Sequence, residues 1–293
     1  MTSPKKRSGA SSVALSRPQG LPDFRSPPIT EMVLSIQFAT LENLKSVHVG
    51  LLWQRFRSAY PDVSEKAPIN AVFETFGAPA QSRPAVQFEQ FLSPPMPRYW
   101  FEKSGTPDLL QLQQDRIIHN WRKREDDPTY PRYETLRDRF RTEVDQFVAW
   151  LSEEQIGEVR PNQCEVTYVN IIQTPGAEKL HDRLEQITPL WTGRLSEPLN
   201  ADFDDAQVRM RFRLKTDEKA IGRVHVTFLP AVRQADLGEV IKLEITARGR
   251  PATESVNSAF DFFDIGRRAV VETFAAVTTL SMHNFWERTD GKR

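Results

Sequence analysis

The chain has 293 residues, 39% hydrophobic and 27% charged, and its 39 basic side chains are balanced by 39 acidic ones. That composition fits a globular protein with enough chain for a substantial core and excludes the disordered and membrane-spanning classes. With no net charge, any electrostatic function has to come from local arrangement.

The first 27 residues are rich in Ser, Pro, Gly and Lys/Arg without periodicity, and read as a disordered basic arm. "PKKR" is followed by no apolar core, so it is not an export signal. No run of about 18 apolar residues exists that would span a membrane. Cys164 stands alone, which rules out an intramolecular disulfide or a multi-cysteine cluster and fits a reducing, cytoplasmic location. The remainder, residues 28–290, reads as a single domain.

Met32, Leu34, Ile36 and Phe38 alternate with smaller or polar residues and predict a strand, and Leu41 to Phe56 follow at helical spacing until "AYPD" stops them. Residues 61–97 hold seven prolines around short apolar pieces ("AVFETF", "AVQFEQF") and predict one or two edge strands joined by loops. "RYWFEK" (98–103) and "LLQLQQDRII" (109–118) predict a hairpin, with "HNWRKR" at its polar end. Tyr133, Leu136, Phe140, Val144, Phe147 and Leu151 mark the strongest helix. "QCEVTYVNIIQ" (163–173) carries apolar residues on both sides and predicts a central strand covered on both faces. After a short helix near "EKLHDRLEQI", three segments at 207–215, 222–229 and 239–249 predict an antiparallel meander, because their connections are too short for crossover helices. One long helix, 256–286, closes the chain, with Gly266 as a possible bend.

The expected fold is therefore α+β: antiparallel sheet with helices packed on one face, a long C-terminal helix, and a strand–helix–sheet–helix plan repeated over about 28–155 and 160–290. "PPITEMVLSIQF", "LLQLQQDRIIHNWRK" with "YPRYETLRDRF", and "HNFWER" together resemble a sporadically distributed family of bacterial proteins of about this length. The resemblance covers most of residues 27–288. It implies one shared architecture, and brings no activity or catalytic residues with it.

Phosphate-loop, dinucleotide, nucleophile-elbow and HExxH signatures are missing. No two of the five histidines lie three or four apart, so no sequence-local metal site and no cofactor is expected. Cys164 opens a strand and reads as a buried thiol.

Two constellations stand out. His119, Asn120, Trp121 and Arg122 read either as a rim site, with Trp121 a stacking platform and Arg122 an anion contact, or as packing beneath the loop that leads to Tyr130 and Tyr133. In the meander, Arg209, Arg211, Arg213 and Lys215 alternate strictly with Val208, Met210, Phe212 and Leu214, and Arg223 continues the basic face on the next strand. That face is compatible with an anionic ligand or nucleic acid, with internal pairing, or with protection of a sheet edge.

The leading expectation is a non-enzymatic binding or protein-interaction module. The alternatives are nucleic-acid or anion binding through the 207–249 face, which is not favoured, and an enzyme whose site joins His119 to a distant residue such as His283.

Overall fold

The computed structural model describes residues 17–76, 96–125, 129–174, 179–197, 199–234 and 236–289. Nine strands among these form one antiparallel sheet: β1 (Ile29–Phe38), β2 (Asp62–Lys66), β3 (Arg98–Glu102), β4 (Asp108–Gln113), β5 (Arg116–Arg122), β6 (Pro161–Ile172), β7 (Val208–Thr216), β8 (Lys219–Val232) and β9 (Glu239–Gly249). Their order is β2-β3-β4-β5-β1-β6-β9-β8-β7. β1 and β6 pair antiparallel at the middle, with Leu34 opposite Val166. On either side a meander returns to the strand that began its half, β3-β4-β5 to β1 and β7-β8-β9 to β6.

Helices α1 (Ser46–Phe56), α2 (Tyr133–Glu153), α3 (Val256–Val277) and α4 (Leu280–Phe285) complete the α+β architecture. The apolar stripe of α2 packs on one face of the sheet, where Phe147 meets Phe38 and Phe140 meets the ring of His119. α3 runs unbroken through Gly266. The glycine lets the helix lie close to the sheet, since a Cβ there would come within 3.2 Å of Val166 and 3.3 Å of Ala247. No helix among the described residues is long and apolar enough to cross a membrane.

Several expectations need correcting. The segment 109–118 is not one strand but a two-stranded turn: β4 and β5 reverse at Gln114 and Asp115, and His119 to Arg122 lie inside β5 rather than beyond a strand end. The long C-terminal helix breaks at Thr278 and Thr279, both extended. The Thr279 hydroxyl donates to Gln186 O at 2.6 Å and accepts from Met282 N, so side-chain bonding displaces the helix ladder. Residues 17–27, expected to belong to the arm, are packed. Leu21 and Phe24 are buried, and Arg25 and Ser26 donate backbone hydrogen bonds to Glu287 and Trp286. Residues 1–16, and "AVQFEQF", lie outside the described residues. Finally, the apolar face of β7 is only half covered and Phe212 is exposed, because β7 is the sheet's outer edge.

Candidate functional site

The two faces of the sheet differ in chemistry because strand side chains alternate. Met32, Leu34, Ile36, Cys164, Val166, Val226 and Ile245 fill the helix-covered side and are buried there. The other side is polar. Cross-strand register sets Gln113, Arg116, Gln37 and Gln163 in one row, and Gln111, Ile118, Ser35, Glu165, Arg248, Arg223 and Arg213 in the next. The strand at 163–173 lies centrally as expected and has apolar residues on both sides, Val169 and Ile171 on the polar one, but helices cover only the other. Its Gln163, Glu165 and Thr167 point to the polar side.

Among the described residues no second layer of helices covers this polar face. It is crossed instead by residues 67–76, the first of the proline-punctuated apolar pieces, which form no strand. Ile69 N–H donates to Gln113 Oε1 (2.8 Å), and Gln113 Nε2 donates back to Ile69 O (2.9 Å). Arg116 Nη2 donates to Asn70 O (3.1 Å), and Val72 N–H donates to Gln37 Oε1 (3.0 Å). Glu74 N–H reaches Gln163 Oε1 at 3.5 Å. The strap therefore advances one strand for every two residues from Asn70 to Glu74. With strands about 4.8 Å apart, that is roughly 2.4 Å per residue, too open for a helix.

At its far end Glu74 enters a socket made by two arginines and a histidine. Its carboxylate bonds Arg223, lies 2.6 Å from His225 Nε2 and 3.8 Å from Arg248 Nη1, and is 6% exposed. Burial alone would raise this carboxyl; hydrogen bonds from His225 and Arg223 outweigh burial and hold it below the usual range. Arg223 also donates to Thr75 O (2.7 Å) and lies over the Phe76 ring.

The expected site residues fall into separate places. Arg223 is committed to Glu74. Arg209, Arg211 and Arg213 stand exposed on β7, and no hydrogen-bond or ion-pair partner is found for them among the described residues. They continue the socket's face, with Arg213 opposite Arg223 and Arg211 opposite His225. His119 and Trp121 point into the helix-covered core, whereas Asn120 and Arg122 point to the polar face, so the four do not make one rim cluster. Trp121 is 1% exposed and packs on Tyr130, which is the packing reading. The aromatic ring that does meet cations is the half-buried Trp100, flanked by Lys66, Arg98 and Arg122 within 5.6 Å of its ring. Asn120 Nδ2 donates to Glu31, while its Oδ1 accepts from Gln111, whose own Oε1 accepts from Arg98.

His119 sits in a buried ionic cluster. Its Nδ1 lies 2.8 Å from Glu143 and its Nε2 3.4 Å from Asp108. Tyr60 donates to Glu143, and Arg139 pairs with Asp108. Burial alone would depress the imidazole, but the two carboxylates outweigh it and push its pKa up to about 9. Both ring nitrogens then carry protons through neutral pH, and no lone pair is left for general-base work. His283 is held elsewhere, by Thr278 at 2.9 Å and against Phe24. Cys164 is buried, and burial pushes its thiol up. Among the described residues no group of His, Cys, Asp and Glu is arranged to hold a metal.

The sequence left Gln37, Gln113, Gln163, Arg116 and Glu74 unmarked. The available signal was the recurrence of amides at alternate positions of otherwise apolar strands. No family model, curated protein or solved structure matches the chain.

Proposed function

We propose that this protein is an interaction module that captures an extended, acidic segment of another polypeptide on the polar face of its sheet, beside β7. One observation carries the reading: the same face already holds a polypeptide, the chain's own residues 69–76, by generic means. Glutamine amides bond its backbone and a cationic socket takes its carboxylate. Arg209, Arg211 and Arg213 extend that socket to the sheet edge, where an incoming carboxylate-rich strand meets both charge and unpaired backbone. Nucleic acid fits less well. Half of the meander's basic residues are already paired, Arg223 with Glu74, Arg248 with Glu165, Lys242 with Glu244, Lys215 with Glu218 and Arg233 with Asp236, which shortens the track left for phosphates.

The test is fluorescence anisotropy of a labelled Glu-rich decapeptide and of a labelled DNA duplex against the full chain and against Arg211→Glu/Arg213→Glu. The expected result is peptide binding that weakens with salt and is lost in the double variant. Absence of peptide binding overturns the reading. So does duplex binding that is tighter than the peptide's and lost in the same variant, which instead assigns the face to nucleic acid.

A further inference from the structure

Beneath the strap lies a cleft of about 270 Å³ whose floor is formed by β3, β4, β5, β1, β6 and β9, and whose lining on the strap side is Ile69 and Val72. Its lining includes Arg116, 8% exposed, a guanidinium withdrawn almost entirely from water. Nη2 of Arg116 donates to Gln37 Oε1 (2.7 Å) and Asn70 O (3.1 Å), whereas its buried Nε has no hydrogen-bond acceptor among the described residues. The nearest carboxylate, Asp115, stands 3.7 Å from that Nε. Burial pushes the Asp115 carboxyl up, which weakens it as a counter-ion. Arg98 lines the same cleft. Its Nη1 is spent on Gln111 (2.6 Å), and it has no carboxylate partner among the described residues. Burial, and then the nearby Arg116 charge, lower its pKa. Arg248 closes a third side and brings Glu165, which it already neutralises at 2.6 Å.

A buried guanidinium with an incomplete set of acceptors is costly, and the cost falls when an anion supplies them. Here Arg98 and Arg116 line one open volume, Arg116 buried; among the described residues the carboxylate beside Arg116 is the weakened Asp115, and Glu165 is already taken by Arg248. We infer that the cleft is a binding site for a small ligand bearing an oxyanion group, carboxylate or phosphate, held by Arg116 and Arg98 with the amide of Gln111 alongside. The site is separate from the β7 surface and does not depend on the partner reading above.

Titration calorimetry and thermal melting of the full chain with inorganic phosphate and, separately, with succinate decide the matter, both at ionic strength matched with sodium chloride. At least one anion is expected to bind saturably at one site per chain, and the arm that responds identifies the oxyanion. Arg98→Gln, at a half-buried position on β3, is expected to weaken binding about tenfold or more, the value of a charge-assisted hydrogen bond. Arg116→Gln is expected to abolish it, and if that variant does not fold, Arg98→Gln carries the decision alone. Arg211→Glu/Arg213→Glu is expected to leave it unchanged. The inference is overturned if neither anion saturates, if Arg98→Gln binds as the parent does, or if the β7 variant removes the binding.

Discussion

Glu74 lies 2.6 Å from His225 across 151 positions of sequence, and this contact pins an otherwise irregular strap to the far half of the sheet. The carboxylate is depressed in the folded state, so its contribution is present above the unfolded value of about 4.3 and is lost as pH falls through the folded one. Its partners are partly exposed and rehydrate when it is removed, which limits the loss. Glu74→Gln is expected to cost about 1–2 kcal/mol. Amide exchange at Ile69 and Val72 is expected to speed up about tenfold with the strap loosened, while the β1 ladder beneath stays protected. Hydrogen exchange followed by mass spectrometry reads this directly, and unchanged protection at residues 69–76 would refute the pinning role.

His119 makes stability depend on pH in the opposite sense. Its folded value, about 9, lies above the unfolded value of about 6.5, so its contribution is full below pH 6.5 and fades as pH rises through 9. A shift of that size is worth about 3 kcal/mol. Urea unfolding between pH 6 and 10 is expected to show that decline, and His119→Gln is expected to flatten it while lowering stability at pH 6, where Glu143 loses its cation and Asp108 keeps only Arg139. A variant that keeps the parent's slope would assign the decline to other groups.

The acidic-segment reading makes a prediction for the folded protein alone. Arg211 and Arg213 make no ion pair among the described residues and stand exposed on an edge strand. Their reversal to Glu is expected to change the melting temperature little, within what about 0.5 kcal/mol produces. A large loss by differential scanning calorimetry would mean that the arginines serve the fold rather than a partner.

What was legible in the sequence followed periodicity. Met32 to Phe38, the α2 stripe from Tyr133 to Leu151 and the alternation of β8 and β9 each bury one face against a continuous partner, and burial of that kind writes a period of 2 or 3.6 into the chain. The strap writes nothing comparable. Its bonds run from backbone groups of residues 69–74 to side chains distant in sequence, so no local pattern marks it. The β4–β5 reversal has only Asp115 as a turn residue, and Leu21 and Phe24 are single apolar residues in a polar segment. The rim reading of His119 to Arg122 failed on alternation itself, because four consecutive strand residues divide between two faces. Arg116 was equally hidden: a lone arginine next to an aspartate looks solvated until the strap closes over it.

Two glycines test how tightly the socket is built. Gly249 faces Gly222 across β8 and β9, beside Arg248 and Arg223. A Cβ on Gly249 would stand 2.2 Å from Ile221 O and 2.8 Å from the Phe262 ring. The first is backbone, and Ile221 O is held by Arg250 N at 3.0 Å, so the strands themselves have to part. Gly249→Ala is expected to destabilise by about 3 kcal/mol, at the upper end for overpacking. It is also expected to loosen Arg248 and Arg223 around Glu74, raising exchange in the strap as Glu74→Gln does. Gly50 is the control: it lies within α1, a Cβ there meets nothing within 4 Å, and Gly50→Ala is expected to stabilise by up to about 1 kcal/mol through helix propensity. Chemical denaturation of the two variants should give opposite signs. Equal signs would mean that the close approach of β8 and β9 yields easily, and then the socket cannot owe its geometry to that glycine pair.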